Sequence, residues 1–153
     1  MTTTLRDIMR KRLETIEDSA SVQDAARKMK DKDISSLIVI DRDGKPQGLI
    51  TERDLVTKIC INDTYTSTIP NKQILSVPLL SIDSASTPAI AADMMLRYNV
   101  RHLLVIDDNS DSDKSDPKHF VGIITPLDFA GYEEFPNDEV GKDEIERMLE
   151  YYI

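Results

Sequence analysis

The chain repeats itself. At an offset of 66, residues 16–41 fall on residues 82–107 without a gap, and eight of those 26 positions are identical. The match resumes at an offset of 74, where Gly48, Ile50, Thr51 and Asp54 meet Gly122, Ile124, Thr125 and Asp128. The change of offset places eight extra residues in one loop of the second copy. Such a duplication constrains the fold more than composition does. Whatever architecture one copy adopts the other must adopt too, and a site formed by one should have a counterpart in the other.

Each copy reads the same way. A short strand ends in Thr15-Ile16 or Ser81-Ile82. A helix follows, with Val22, Ala25, Ala26 and Met29 on one face in the first copy and Ile90, Ala91, Met94 and Met95 in the second. Ser21 and Thr87 are suitable N-caps, and Pro88 suits a first helical turn. The apolar runs Leu37-Ile38-Val39-Ile40 and Leu103-Leu104-Val105-Ile106 read as buried strands. Asp43-Gly44 makes a turn. A second strand then leads into a second helix starting at Thr51 or Thr125. A copy of about 50 to 60 residues has too little core to stand alone. The predicted fold is therefore α/β in the α+β sense, with two β-α-β-β-α repeats packed with pseudo-two-fold symmetry. The boundaries expected are 1–67 for the first repeat, 68–132 for the second and 133–153 for an acidic tail with a helix.

Charge and cysteine content narrow the partners. The 28 acidic residues outnumber the 19 basic ones, and the net charge is −9. That balance argues against nucleic acid, whose phosphates are held by Lys and Arg. The acidity is unevenly placed. Residues 133–153 hold eight acidic and two basic residues, residues 107–117 hold five more acidic ones, and the rest is close to neutral. An anionic ligand therefore need not oppose the field of the repeats. The one cysteine, Cys60, cannot close an internal disulfide and suits a reducing compartment. It lies in the apolar stretch 55–61 and reads as core. No apolar run approaches the ~20 residues that span a bilayer, and residues 1–12 lack the apolar core of a signal peptide. A cytoplasmic location without membrane contact is the expectation.

Three segments carry a resemblance. Leu5-Arg6-Asp7-Ile8-Met9, Ser35-Ser36-Leu37-Ile38-Val39-Ile40-Asp41 and Gly48-Leu49-Ile50-Thr51-Glu52-Arg53-Asp54-Leu55 together resemble a CBS domain. The second copy resembles it through Val100-Arg101-His102-Leu103-Leu104-Val105-Ile106-Asp107 and Gly122-Ile123-Ile124-Thr125-Pro126-Leu127-Asp128. In place of the opening Arg-Asp-Ile-Met it has Gln73-Ile74-Leu75. The pair is similar to a Bateman module over about residues 5–132. The resemblance implies a non-enzyme that binds adenosyl ligands (AMP, ADP, ATP, S-adenosylmethionine or its thioether products) in clefts between the repeats. It also implies pairing into homodimers and regulation of another protein.

The resemblance maps the ribose-binding carboxylate onto Asp54 and Asp128, and a hydroxyl that contacts sugar or phosphate onto Thr51 and Thr125. A carboxylate suits a ribose because it accepts hydrogens from both hydroxyls. A helix start suits phosphate because its backbone N–H groups are free. Thr51-x-x-Asp54 and Thr125-x-x-Asp128 are also capping boxes, with Asp in place of Glu. Capping explains the spacing but not its recurrence after Gly and two apolar residues in both copies. Arg101 and His102 fall where relatives place phosphate-binding cations, or else form a solvated pair at a strand edge. Their counterparts Ser35 and Ser36 are small and neutral. Arg53 either supplies charge there or faces solvent. The Thr125/Asp128 site is expected to suit a phosphorylated ligand, and the Thr51/Asp54 site a less anionic adenosyl compound or none. Thr15, Ile16, Ser81 and Ile82 would flank the base, or simply pack as strands.

Other features carry less. Asp107, Asn109, Asp111 and Asp113 mimic the start of a calcium loop, but Ser112 replaces its Gly and Lys118 its Glu, so a solvated loop is expected. His102 and His119 have no Cys or Glu at zinc spacing. No Gly-rich phosphate loop and no G-x-S-x-G is present, so no metal, cofactor or catalysis is expected. In the tail, Ile145, Met148, Leu149 and Tyr152 share one helical face. That helix either docks on its own module or across a dimer, or it recognises another protein. The leading expectation is a ligand-sensing regulatory module. The alternative is a ligand-free interaction module acting through dimerisation and the acidic helix.

Overall fold

A computed structural model describes residues 3–107, 119–130 and 139–152. The order of the first repeat is β1 (Thr15–Glu17), α2 (Val22–Lys32), β2 (Ser36–Ile40), β3 (Pro46–Thr51) and α3 (Glu52–Asp54), preceded by a one-turn helix α1 (Leu5–Ile8). The second gives β4 (Ser81–Asp83), α4 (Pro88–Tyr98), β5 (Leu103–Ile106), β6 (Phe120–Ile124) and α5 (Pro126–Ala130), followed by α6 (Glu139–Tyr152). Each repeat forms a three-stranded sheet, β1-β2-β3 or β4-β5-β6. In each sheet the first pair is parallel and the second antiparallel. The expected strand-helix-strand-strand-helix order is therefore present in both.

The two repeats match down to single residues. Helices α2 and α4 end on Asp33 and Asn99, both with φ of 52° in the left-handed region. Asp and Asn tolerate that conformation better than other side chains do. Both middle strands shift register at the same place, Val39/Ile40 and Val105/Ile106. Ser21 caps α2 by accepting from the Asp24 amide at 3.1 Å, as expected. Thr87 makes no such bond, and Pro88 at the start of α4 removes one N–H that would need a partner.

Packing corrects two expectations. The inward face of α4 is Pro88, Ala91, Ala92 and Met95, whereas Ile90 is 54% exposed. That face is the counterpart of Val22, Ala25 and Met29 on α2, so the repeat frame decides the phase better than local hydropathy does. Cys60 is exposed rather than core. Helix α3 widens into a π-helical turn over Leu55–Ile59, which turns Ile59 inward, and Cys60 then begins a separate 3₁₀ turn.

The compact units do not follow the chain in order. One contains residues 13–79 and holds a core of Val22, Ala25, Met29, Leu37, Val39, Ile50, Ile59 and Ile74. The other joins residues 3–12 to the second repeat and α6. Its core includes Leu5, Met9, Ala91, Met95, Leu103, Val105, Phe129, Ile145 and Met148. Thus the opening segment 5–10 packs on the second repeat, and the equivalent segment 71–76, 66 residues later, packs on the first. The backbone bonds are matched: Leu5 and Arg6 donate to Ser86 and Ser84, and Asn71 and Lys72 donate to Ala20 and Asp18.

The tail helix docks on the second repeat. Ile145 and Met148 are buried there, and the Tyr152 hydroxyl donates to the Met95 carbonyl at 3.0 Å. The apolar stripe is thereby covered by its own chain. Residues 108–118, which contain the calcium-like run after Asp107, and residues 131–138, which include the start of the tail, lie outside the described residues. Asp107 itself accepts from the Ser84 hydroxyl and pairs with Arg6. Among the described residues no helix is long and apolar enough to cross a membrane.

Candidate functional site

In each repeat the candidate residues converge on one end of the sheet. β1 and β2 run parallel and β3 runs back, so Thr15, Ser36 and Thr51 lie at the same end. Ser36 faces Thr51 in register, and the Ser35 carbonyl accepts from the Glu52 amide at 3.1 Å. In the second repeat Ser81 starts β4, Arg101 and His102 precede β5, and Thr125 follows β6. Ile16 and Ile82 are ladder residues, paired with Val39 and Val105, and Ile82 is buried. Ser81, Arg101 and Arg53 are exposed, and His102 is half-buried.

At the centre of each end is a carboxylate that accepts from the Thr three residues before it, in a full capping box at Asp54 and in half of one at Asp128, whose own amide donates to the Thr125 carbonyl at 3.1 Å. Asp54 Oδ2 accepts from the Thr51 amide at 2.9 Å and the Thr51 hydroxyl at 3.1 Å. Asp128 Oδ2 accepts from the Thr125 amide at 2.8 Å and its hydroxyl at 3.2 Å. The helix starts are less available to phosphate than their sequence suggests. The Glu52 amide is taken by Ser35, the Asp54 amide by Thr51 Oγ1, and Pro126 has no amide hydrogen at all.

The other carboxylate oxygen distinguishes the sites. Asp54 Oδ1 accepts from the Ser76 hydroxyl at 2.8 Å and lies 2.9 Å from Lys58 Nζ. A carboxylate has about four lone-pair positions, and Asp54 meets three hydrogen bonds and one ion pair. Asp128 Oδ1 accepts only from Arg10 Nε, at 2.8 Å, among the described residues. Its side chain is 7% exposed, so this one remaining acceptor position sits in a nearly water-free setting.

Arg10 and Ser76 are equivalent residues of the two opening segments, and sequence reasoning missed both. Each segment crosses its sheet over a glycine. Arg10 and Ile123 exchange backbone bonds of 3.0 and 2.9 Å above Gly122, and Ser76 and Leu49 exchange bonds of 2.7 and 3.1 Å above Gly48. A Cβ on Gly122 would lie 2.8 Å from the Arg10 carbonyl, and one on Gly48 2.5 Å from that of Ser76. The glycine of each G-x-x-T-x-x-D run is therefore required by the segment that brings a polar side chain to the Asp. Lys28 and Lys58 were missed as well. Lys28 Nζ bonds the Thr15 carbonyl, so that backbone group of the first repeat is already engaged. The Arg101 guanidinium lies 5.1 Å from the centre of the Tyr152 ring, a cation–π contact with α6.

Comparison with known proteins agrees with this architecture. The family model for the CBS domain matches residues 5–60 and 72–134. An uncharacterized protein of Methanopyrus kandleri is 25% identical over 84% of this chain and 62% of its own. The chain spans 62%, 32% and 25% of the length of three curated relatives it matches. Among solved structures, a hexameric CBS-CP12 protein from bloom-forming cyanobacteria is 28% identical, with a TM-score of 0.76 over 96% of this chain and 83% of that one. A CBS domain pair in complex with 5′-methylthioadenosine and S-adenosyl-L-methionine is 24% identical, with a TM-score of 0.69 over 86% of this chain and 95% of that one. With both of its repeats matched, this chain belongs to the CBS domain family.

Proposed function

We propose that the chain is a non-catalytic regulatory module that binds an adenosyl ligand and passes the occupancy on to a partner protein. The observation that carries this reading is the recurrence, in both repeats, of one carboxylate held by the amide and hydroxyl of the Thr three residues before it, at the end of a sheet. Capping uses Oδ2, and in the second repeat Oδ1 retains room for a ribose hydroxyl. Asp128, with Thr125, Arg101, His102, Ser81 and Ile82 around it, forms the principal site. Thr51 and Asp54, flanked by Ser35, Ser36, Arg53, Thr15 and Ile16, form a weaker one, because Asp54 already holds three hydrogen bonds and an ion pair with Lys58. The related pair that holds methylthioadenosine and S-adenosylmethionine supports the ligand class. AMP, ADP and ATP are the phosphorylated members of that class. A homodimer in the cytoplasm is the proposed working form.

Docking of α6 on its own repeat counts against the alternative in which that helix is the recognition element of a ligand-free module. Calorimetric titration of AMP, ADP, ATP and S-adenosylmethionine into wild type and Asp128→Asn tests the proposal, with circular dichroism to verify folding. Binding that the substitution weakens supports it. No binding of any of the four, or binding indifferent to Asp128→Asn, refutes it.

A further inference from the structure

We infer that Arg10 is the residue by which the Asp128 site selects a phosphorylated ligand over a neutral one. The inference rests on the adenosyl reading and deepens it. Arg10 belongs to the opening segment, which precedes the strands of both sheets in the chain, yet its guanidinium is delivered to Asp128 by the backbone exchange with Ile123. Only Nε is used. The two terminal nitrogens make no hydrogen bond to protein among the described residues, and the side chain is 51% exposed. A guanidinium anchored at one edge with its fork open to solvent is an arrangement suited to a phosphate, which accepts two parallel N–H bonds.

Charge balance gives the selectivity its direction. A ribose hydroxyl that donates to the remaining position of Asp128 Oδ1 shares that oxygen with Arg10 Nε and draws on the same negative charge. A ligand with a phosphate offers the free edge of the guanidinium a second counter-charge, and an uncharged adenosyl compound offers none. The first repeat lacks this device. Its equivalent residue is Ser76, whose hydroxyl donates to Asp54 without bringing charge, and the neighbouring cation Lys58 is already engaged by Asp54 and by the Ile74 carbonyl at 2.8 Å. The difference between the two sites therefore lies in the opening segments as well as in the repeats.

The probes are AMP and adenosine, titrated into the full chain as wild type, Arg10→Ser, Arg10→Lys and Ser76→Arg. Wild type is expected to prefer AMP by about tenfold or more, the worth of a charge-assisted hydrogen bond. Arg10→Ser should bring the ratio to within about threefold through weaker AMP binding, with adenosine unchanged or tighter, since loss of the bond gives no reason for adenosine to weaken. Arg10→Lys, which keeps the charge but loses the fork, should keep part of the preference, and Ser76→Arg should increase it. Equal loss of both ligands in Arg10→Ser would show a merely structural role and overturn the inference. So would a wild type that binds AMP and adenosine alike, which leaves the adenosyl reading intact. A wild type that binds neither refutes the inference and the adenosyl reading together.

Discussion

Gly122→Ala tests the link between the fold and the Asp128 site. The new Cβ would stand 2.8 Å from the Arg10 carbonyl oxygen, 2.5 Å from Met9 Sδ and 2.9 Å from Met9 Cγ. Met9 can turn aside, although it is only 8% exposed and has little space. The Arg10 carbonyl is backbone and must retreat by about 0.6 Å to reach ordinary contact at 3.4 Å. That movement stretches the bonds Arg10 N–H to Ile123 O (3.0 Å) and Ile123 N–H to Arg10 O (2.9 Å). Two backbone bonds at about 1 kcal/mol each, with some overpacking at Met9, give a loss of about 2–4 kcal/mol. Gly48→Ala should cost at least as much, because the Ser76 carbonyl lies at 2.5 Å. Gly44 is the control. Its φ of 81° strains an alanine by about 1 kcal/mol, but nothing lies within 4 Å of the added carbon. Urea unfolding ranks the three variants, and hydrogen exchange at the Ile123 amide reports the crossing itself. A Gly122→Ala protein within about 0.5 kcal/mol of wild type, with the Ile123 amide still protected, would refute the reasoning.

Three further outcomes follow from the packing and the charges. Asn71 is fully buried, its Oδ1 accepts no hydrogen bond among the described residues, and the matching position of the other opening segment is Leu5. Asn71→Leu removes an orphan acceptor that costs about 1–3 kcal/mol against one lost bond to Glu17, so it should be neutral or stabilising in urea, and a loss above about 1 kcal/mol would contradict this. Met148→Ala should destabilise by about 2–5 kcal/mol and Tyr151→Ala by less than about 0.5, since Met148 is fully buried and Tyr151 is 65% exposed; equal effects would mean that α6 does not dock as described. Bonds from Arg6 and Ser84 hold the Asp107 carboxyl below its ordinary value of 3.8. A depressed folded value means stability that is present above pH 3.8 and lost as pH falls through the lower one. Acid unfolding of Arg6→Gln should therefore be shallower below pH 3.8 than that of wild type, and identical profiles would count against the pair.

The repeat made most of the fold legible. Period-2 and period-3.6 patterning in one copy is checked by the other, which fixes five elements per copy and the capping boxes at Thr51 and Thr125. Legibility failed where local patterning competed with the repeat frame. Ile90 looks apolar enough for a core face, yet the positions equivalent to Val22 and Ala25 are Pro88 and Ala91. Cys60 lies in an apolar run, but a π-helical turn has no hydropathy signature of its own and shifts the phase just ahead of it.

The residues that decide the site were illegible for a different reason. Reading along the chain assigns the opening segment to the repeat that follows it, and on that assumption Arg10 has no business with Asp128. The offset of 66 does pair Met9 with Leu75 and Arg10 with Ser76, but those pairs share no identity and give no score. Only the glycines hint at the crossing. Gly48 and Gly122 sit inside strands, where glycine costs stability unless another backbone approaches closely. Here another backbone does approach each of them, and it comes from outside the repeat's own run of sequence. Duplication kept the carboxylate, its cap and the glycine in both copies. The residue delivered to the carboxylate was left free to differ, and with Arg at one position and Ser at the other a pair of matched repeats presents two chemically distinct sites.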